Sequence, residues 1–310
     1  MIQFIAKRFA YAVLTLLIVT TLTFILVRVI PGNPIERMTE ELPQEQRQQV
    51  FEQYGFDQSI PMQYKQFWKD VIVDQDLGES LSYRGRGVTD TIISYAPISA
   101  RLGVQAIFIG VTLGVILGVI AAINRGNWPD YFVMFIAILG ISIPSFVVAS
   151  VLQYFFAIRW GVLPTTGWGG FEYTILPSIA LCFHPLARYA RYMRANSLDV
   201  LHQDYILTAQ AKGASRFRII RKHVIRNAIL PIVTLLGPQL AMIFGGSFVI
   251  ERIFSIPGLG AYFVTSVIDR DYTMVMGQTI FIASLYIFSL VIVDILYAII
   301  DPRIQVSNDS

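Results

Sequence analysis

The chain has few charged residues, since Asp, Glu, Lys and Arg make up only 15% of its 310 residues. A typical soluble domain carries about 25%, so too few charged side chains remain to cover two soluble domains. The single cysteine, Cys182, excludes a disulfide scaffold. The net charge of +3 is too small to suggest a nucleic-acid-binding protein, and 55% apolar residues exclude an intrinsically disordered chain. With a mean hydropathy of +0.57, the composition predicts a polytopic membrane protein.

The sequence also lacks the common signatures of catalytic and metal sites. Its three histidines, His184, His202 and His223, have no ligand spacing among them. Residues 211–214 (Ala-Lys-Gly-Ala) lack the glycine spacing and the order of a phosphate-binding loop. No Ser-His-Asp set or pair of catalytic carboxylates stands out within the apolar runs. We therefore expect no metal site, no cofactor and no catalytic residue in this chain.

Long apolar runs are what the sequence has instead, and roughly 20 apolar residues in a helix cross a bilayer core. The third of six predicted spans has 28 residues, which requires tilt or a kink at Pro144. The first is too long for the apolar part of a signal peptide, so we interpret it as a retained anchor. The predicted fold is an all-α membrane protein with six transmembrane helices. The predicted spans are 9–30, 102–123, 131–158, 173–187, 227–250 and 274–300.

The distribution of basic residues predicts the orientation in the membrane. Segment 188–226 holds nine Lys and Arg residues against two acidic ones, whereas segment 31–91 holds six basic and eleven acidic residues. With six spans, both termini and the 188–226 loop are predicted to be cytoplasmic. The predicted domains are residues 1–30 with the first span, an extracytoplasmic domain at 31–100, and a core of the other five spans at 101–310.

Small residues and prolines predict how the spans pack. Gly110, Gly114 and Gly118 follow one another at four-residue steps on one helix face. Since small residues allow membrane helices to approach closely, we expect a packing seam with another helix; a ligand contact is the alternative. Pro144 lacks a backbone donor and can bend its helix.

One acidic residue, Asp294, lies within the sixth predicted span. A charge at that depth is costly unless it is paired or faces water. We expect a salt bridge with Arg188 or Arg191, at the cytoplasmic end of the fourth predicted span. An ion or proton relay is the alternative.

The cytoplasmic loop between the fourth and fifth spans holds the most informative sequence. Tyr205, Ala209 and Lys212 share one face of a predicted short helix, and Gly213 allows a left-handed or tight turn after it. A basic amphipathic run then leads to Leu230-Pro231, where the membrane resumes. The short helix could lie against a partner, or the basic run could rest on anionic headgroups. The residues alone leave both interpretations open.

This loop resembles the coupling motif of ATP-binding-cassette (ABC) importer permeases, in which Glu-Ala-Ala precedes a glycine and a later Leu-Pro. Residues 208–210 (Thr-Ala-Gln) stand in place of Glu-Ala-Ala, and Gly213 and Leu230-Pro231 follow. The peptide-transporting branch reads Thr-Ala-Arg-Ala-Lys-Gly, which 208–213 matches except at Gln210. The chain most resembles the B-type subunit of oligopeptide and dipeptide importers. Further branch features occur in order at 28–34, 55–58, 63–64, 76–80, 142–146, 251, 257–260, 271–272, 293–294 and 301–303.

The resemblance implies a type I ABC importer permease fold in the bacterial inner membrane, coupled to partner proteins. A second permease would complete the pore, two ATPases would bind ATP and Mg, and an extracytoplasmic binding protein would deliver the peptide. The chain itself would not hydrolyse ATP. The residues implied to couple to the ATPases are Tyr205, Thr208, Ala209, Ala211, Lys212 and Gly213. Candidate pathway or gate residues, with interhelical packing as the alternative, are Gln239, Met242, Gln278 and Glu251.

Other functions fit the same scaffold. A permease for a nickel or other metal chelate, for glutathione or for an opine would look similar, because the binding protein does most of the selecting. A stand-alone channel or membrane scaffold belongs to a different class and would work without an ATPase.

Overall fold

The computed structural model describes residues 2–29, 35, 39, 43–83, 85–241 and 248–300. These residues are mostly helical, and the β-pairing among them is an isolated bridge between Glu79 and Gly87, which confirms the all-α class. The helices are α1 (Ile2–Val29), α2 (Gln44–Gln53), α3 (Ile60–Lys69), α4 (Val88–Ile123), α5 (Trp128–Ser142), α6 (Ser145–Leu152), α7 (Glu172–Leu201), α8 (Asp204–Ala211), α9 (Arg216–Ile219), α10 (Leu230–Ala241), α11 (Phe248–Ile253), α12 (Leu259–Ile268) and α13 (Tyr272–Ile300). π-Helical segments extend α3, α6 and α9 at Asp70–Asp74, Gln153–Arg159 and Ile220–Ile225, and Arg226–Ala228 adds a last turn.

Three helical segments of the described chain are long and apolar enough to cross a membrane: Ala6–Val29, Val88–Ile123 and Tyr272–Ile292. The pair Trp128–Ser142 and Ser145–Arg159 passes the same criterion only as a broken span. The predicted fifth span contains residues 242–247, which lie outside the described residues. The count of six spans therefore stays a prediction.

The third predicted span is broken at Pro144, the position at which the sequence predicts a kink. The two halves meet at 104°, a far larger bend than tilt or a kink supplies. Ile143 has an extended backbone, with φ −87° and ψ 122°, because a residue before proline is driven out of the α region. Pro144, also extended at ψ 139°, then begins a new helix.

Helix α7 extends well past the predicted end of the fourth span, since it runs to Leu201 rather than residue 187. Hydropathy falls after residue 187 because basic residues begin there, but Arg, Ala, Leu and Met are good helix formers. The first part of the predicted 188–226 loop is therefore a continuation of this 30-residue helix.

The chain divides into two compact units, one formed by Met1–Ile98 with Gly258–Ser310 and one by Ser99–Pro257. We call them the terminal unit and the central unit. In the terminal unit, α1 packs against α13. The core of this unit includes Phe24, Leu81 and Tyr272. Aromatic residues of segment 31–100 pack against this core, and the rings of Phe24 and Tyr64 meet edge to face at 5.0 Å. These packed aromatics therefore contribute to the core of the unit.

In the central unit, α7 packs against α5, α6 and α10. The core here contains Val119, Tyr189, Met193 and Ile232. Helix α7 thus lies at the centre of this unit's contacts, and the loop that follows it begins from a fixed position.

Candidate functional site

The short helix α8 carries the predicted coupling residues, and its inward face is set by one buried side chain. Ile206 is fully buried in a cluster with Ile219 and Val224. The backbone of Gln203, extended at φ −80° and ψ 145°, separates α8 from α7. Three apolar residues from two helical segments thus hold a helix of eight residues, which is too short to be stable alone in water.

The turn predicted at Gly213 is confirmed, since its φ is +77°. The amide of Gly213 donates to the carbonyl oxygen of Gln210 at 2.9 Å, and the amide of Ala214 donates to that of Ala209 at 3.1 Å. These bonds form a Schellman motif, which satisfies the last carbonyl groups of a helix and favours glycine at the left-handed position. Ala209 and Ala214 both contact the buried cluster, which supplies the apolar contact that accompanies this motif.

The predicted coupling residues do not all face the same way. Tyr205, Thr208, Ala211, Lys212 and Gly213 are exposed. They form an exposed, mostly uncharged surface at the end of α8, which we call the coupling surface. The sixth predicted residue is half-buried: the side chain of Ala209 packs inward on the Ile206 cluster.

Two side-chain contacts tie this segment to its surroundings. The amide nitrogen of Asn227 donates to the hydroxyl oxygen of Tyr205 at 2.9 Å. The guanidinium Nη2 of Arg216 donates to the carbonyl oxygen of Ile123 at 2.9 Å. Ile123 is the last residue of α4, where a cation interacts favourably with the free carbonyl groups and the helix dipole. The loop that carries the coupling surface is thus bonded to the end of a membrane helix.

An ion pair that sequence reasoning missed joins the C-terminal half of α7 to α5. Nε and Nη2 of Arg194 reach Oδ1 and Oδ2 of Asp130 at 2.5 and 2.7 Å, and the amide of Gly126 donates to Oδ2 at 3.0 Å. Asp130 is buried in the first turn of α5. The hydrogen bond from Arg194 is the main reason that the pKa of Asp130 lies below its usual value. An acidic residue in a first helical turn was the available signal, but its partner is 64 residues away.

The predicted glycine seam is confirmed between α4 and α7. A Cβ atom at Gly110 would lie 2.8 Å from the carbonyl oxygen of Cys182, and one at Gly114 would lie 2.8 Å from that of Leu186. At Gly118 it would lie 2.6 Å from the carbonyl oxygen of Ala190. Real Cβ atoms do not approach so closely, so only glycine permits this spacing of the two helices. The residue numbers of the contacting residues increase in the same direction along α4 and along α7, so the two helices are parallel.

The candidate pathway residues are described in part. Gln278 is fully buried, and neither polar atom of its side chain has a hydrogen-bond partner among the described residues. Gln239 is half-buried, with its Oε1 atom likewise without a described partner. Glu251 is buried and accepts from the hydroxyl of Ser99 at 2.6 Å. Met242 and the side chain of Asp294 lie outside the described part of the chain, so the predicted salt bridge of Asp294 stays a prediction.

Sequence reasoning also missed the role of Asp271 in the terminal unit. Its buried carboxylate accepts from the hydroxyl of Ser80 and from the amides of Leu81, Ser82 and Met274, at 3.1, 3.3 and 3.1 Å for the three amides. The bond from Met274 caps the start of α13. We call this arrangement the Asp271 clasp, because it joins the 80–82 loop to the first turn of a membrane helix.

With this geometry in place, comparisons with known proteins show the family. Residues 114–306 match the family described as "Binding-protein-dependent transport system inner membrane component". Residues 1–93 match the N-terminal part described as "Binding-prot-dependent transport system membrane comp, N-term". The chain belongs to this family of inner-membrane transport components, which confirms the resemblance to ABC importer permeases.

The relatives are similar over almost the whole chain. The chain is 43% identical over 307 residues to the dipeptide transport system permease protein DppB of Bacillus subtilis, covering 98% of both chains. It is 42% identical to the oligopeptide transport system permease protein OppB of Haemophilus influenzae and 40% identical to OppB of Escherichia coli K12, covering 98% of this chain and 100% of each relative.

One solved structure supports the fold. The structure titled "Crystal structure of an amino acid ABC transporter with histidines" matches with a TM-score of 0.50 at 18% identity, over 69% of this chain and 94% of that chain. At that identity the likeness shows the fold alone, which is the ABC permease fold that the motifs imply.

Proposed function

We propose that this chain is the transmembrane permease subunit of an ATP-driven peptide importer and forms half of its translocation pore. The observation that carries the proposal is the similarity over 98% of the chain to proteins named as dipeptide and oligopeptide permeases. The exposed end of α8, with its glycine turn, supplies the surface that such a subunit needs to receive a motor protein.

In this proposal the coupling surface docks on a cytoplasmic ATPase. When the ATPases close on ATP, they would displace α8 together with the cluster around Ile206. The bond from Arg216 to Ile123 would carry this displacement to the end of α4. The pore would then change between inward-facing and outward-facing forms, which is alternating access. Ala209 contributes by packing α8 onto the cluster rather than by touching the ATPase.

The remaining parts of the importer follow from the same assignment. A second, similar permease completes the pore, two ATPases hold ATP and Mg, and an extracytoplasmic binding protein delivers the peptide. Both termini are cytoplasmic, as is the part of the 188–226 segment that follows α7, and segment 31–100 is extracytoplasmic. Within the 101–310 core, Gln239, Met242, Gln278 and Glu251 stay candidates for the pathway or gate.

Reconstitution tests this function directly. The chain is co-expressed with the second permease and ATPases encoded beside it, purified as a complex and placed in proteoliposomes with the cognate binding protein. We expect uptake of radiolabelled dipeptides or oligopeptides only when ATP and Mg are present on the ATPase side. Uptake of a nickel chelate or glutathione without any peptide uptake would contradict the peptide assignment. Uptake without ATPases would support a channel instead.

Replacing Gly213 tests the coupling surface. A left-handed conformation costs a residue with a side chain about 1–2 kcal/mol, so Gly213→Leu lowers the ratio of native to non-native turn by about tenfold. We expect peptide uptake to fall by a similar factor while the complex still assembles and hydrolyses ATP.

Gly161→Leu is the matched control, because Gly161 also has a positive φ of +64° and open space around it. It lies outside the coupling surface, so its uptake should stay near wild type. Normal uptake by Gly213→Leu, or an equal loss in both variants, would contradict the assignment of the docking surface.

A further inference from the structure

Helix α7 has two faces of opposite character. One face is buried against α4 along the glycine seam and includes Leu186, Tyr189 and Ala190. The other face is exposed and carries basic residues at steps of four and three. We call this second group the cationic stripe; its members are His184, Arg188 and Arg191.

The glycine seam gives the depth of the stripe in the membrane. Because α4 and α7 are parallel and in contact, residues that face one another lie at the same level. Gly114 meets Leu186, Tyr189 and Ala190, so Arg188 lies level with Gly114. Gly114 is close to the middle of the apolar 102–123 run. If the predicted bounds of the second span hold, the stripe therefore lies within the apolar layer.

The stripe has no acidic partner among the residues that the structure describes. The described ion pairs, with nitrogen and oxygen within 4.0 Å, are Arg194–Asp130 and Lys69–Asp74. Arg188 instead places its Nη2 atom 3.0 Å from Nε2 of His184. Because a guanidinium can only donate, the imidazole accepts in this contact. Arg188 is otherwise exposed on the surface of the described chain.

Such a face cannot be turned to lipid. A central arginine costs roughly 2.5–3.5 kcal/mol on insertion scales, so intramembrane charges face protein or a water-filled cavity. The outer surface of α5 provides the contrast, since its exposed residues Tyr131, Phe135 and Ile138 are apolar or aromatic. The apolar surface suits lipid, and the cationic stripe requires water or an anionic group.

We propose that the cationic stripe borders the water-filled path and receives the carboxylate of the passing peptide. Every peptide with a free C-terminus carries one carboxylate, and the planar guanidinium fits a carboxylate in a two-bond arrangement. The stripe would thus recognise a group that all such peptides share, whatever their side chains. This inference rests on the proposed peptide transport and adds the chemical group that the membrane path recognises.

Paired peptides test the inference. The complete importer in proteoliposomes is given one peptide as the free acid and as the C-terminal amide, and ATP-dependent uptake of each is measured. Arg188→Gln should lower the uptake ratio of acid to amide by about tenfold relative to wild type, the effect of one lost charge-assisted hydrogen bond. Because each variant uses the same binding protein, any preference of that protein cancels. Arg188→Lys should restore most of the ratio, and Arg159→Gln, a control at an exposed arginine outside the stripe, should leave it unchanged.

Accessibility to water provides a second measurement. In a Cys182→Ala background, which removes the only cysteine, Arg188→Cys should react with a small anionic thiol reagent, and free-acid peptide should slow the reaction. Phe135→Cys, on the apolar face of α5, should stay unreactive. An unreactive cysteine at position 188, or an unchanged uptake ratio with uptake intact, would overturn the inference and favour pairing with a carboxylate such as Asp294 or with the second permease. Absence of ATP-driven peptide uptake by the wild type would instead contradict the proposed function.

Discussion

The Asp271 clasp in the terminal unit and the Gly213 turn in the central unit stabilise their helix ends by opposite means. At the clasp, one buried carboxylate accepts from four donors, so opening it would leave buried groups without partners. At the turn, the amides of Gly213 and Ala214, which follow α8, donate to carbonyl groups of α8, and the surface is exposed. A clasp of the first kind resists displacement, whereas a turn of the second kind can move as a whole without losing its bonds. We therefore predict that the clasp acts as a fixed anchor and that the turn is the part that moves in the proposed importer.

The largest effect should come from removing the anchor. Asp271→Ala deletes the acceptor of Ser80, Leu81, Ser82 and Met274, and also the cap of α13. Lost caps cost about 1 kcal/mol and unsatisfied buried groups about 1–3 kcal/mol, so we expect a loss of about 3 kcal/mol. The measurement is the thermal unfolding midpoint of the purified protein in detergent, which should fall by several degrees.

Two variants serve as controls for this loss. Asp271→Asn keeps the shape and one acceptor oxygen, so it should lose less stability than the alanine variant. Asp57→Ala removes an exposed carboxylate of the same unit and should stay within about 0.5 kcal/mol of wild type. If Asp271→Ala unfolds like Asp57→Ala, the clasp is not an anchor.

A milder substitution, Gly213→Asn, tests the Gly213 turn. Asparagine tolerates the left-handed conformation better than other residues with side chains, so Gly213→Asn should retain most of the uptake that Gly213→Leu loses. Both variants should unfold within about 2 kcal/mol of wild type, since the space around Gly213 is open. For each variant, peptide uptake per complex is compared with the thermal unfolding midpoint. A leucine variant that loses stability as severely as Asp271→Ala would show that the turn is also an anchor.

The smallest effect concerns pH and the Asp130–Arg194 pair. The hydrogen bond from Arg194 lowers the pKa of Asp130 in the folded chain below its value of 3.8 when unperturbed. Its contribution to stability is therefore present above about pH 4 and is lost as the pH falls through the lower folded value. We expect the thermal unfolding midpoint of wild type to decline more steeply than that of Asp130→Asn as the pH falls from about 4.5 to about 3, a range that brackets the unperturbed pKa of 3.8. Parallel curves would contradict a role for this carboxylate in stability.

Local patterns in the sequence predict some of these features well. Glycines at four-residue steps predict the seam of Gly110, Gly114 and Gly118, because helix periodicity alone places them on one face. Gly213 after a short amphipathic run predicts the turn for a similar reason. Pro144 predicts where the third span breaks. Its 104° bend is not predictable, because tertiary packing decides how far the two halves diverge.

Features that join distant parts of the chain are not predictable from local patterns. The bond between Ser80 and Asp271 spans 191 residues, and no spacing relates the two. The inward position of Ala209 depends on Ile219 and Val224, which follow in a different helical segment. The end of α7 at Leu201 was missed because hydropathy marks the membrane layer and not the end of a helix. The level of the cationic stripe relative to α4 likewise depends on the contact of α7 with α4, which no local pattern predicts.

Close contact at glycine along three successive turns brings α4 and α7 together over much of their length. A helix of 30 residues is roughly 45 Å long, so a tilt of about 10° about one end would displace the opposite end by roughly 8 Å. A side chain larger than hydrogen in the seam would separate α4 from α7, and one helix could then tilt without the other. We therefore expect the three glycines to couple the tilting of α4 and α7, in addition to setting the distance between them.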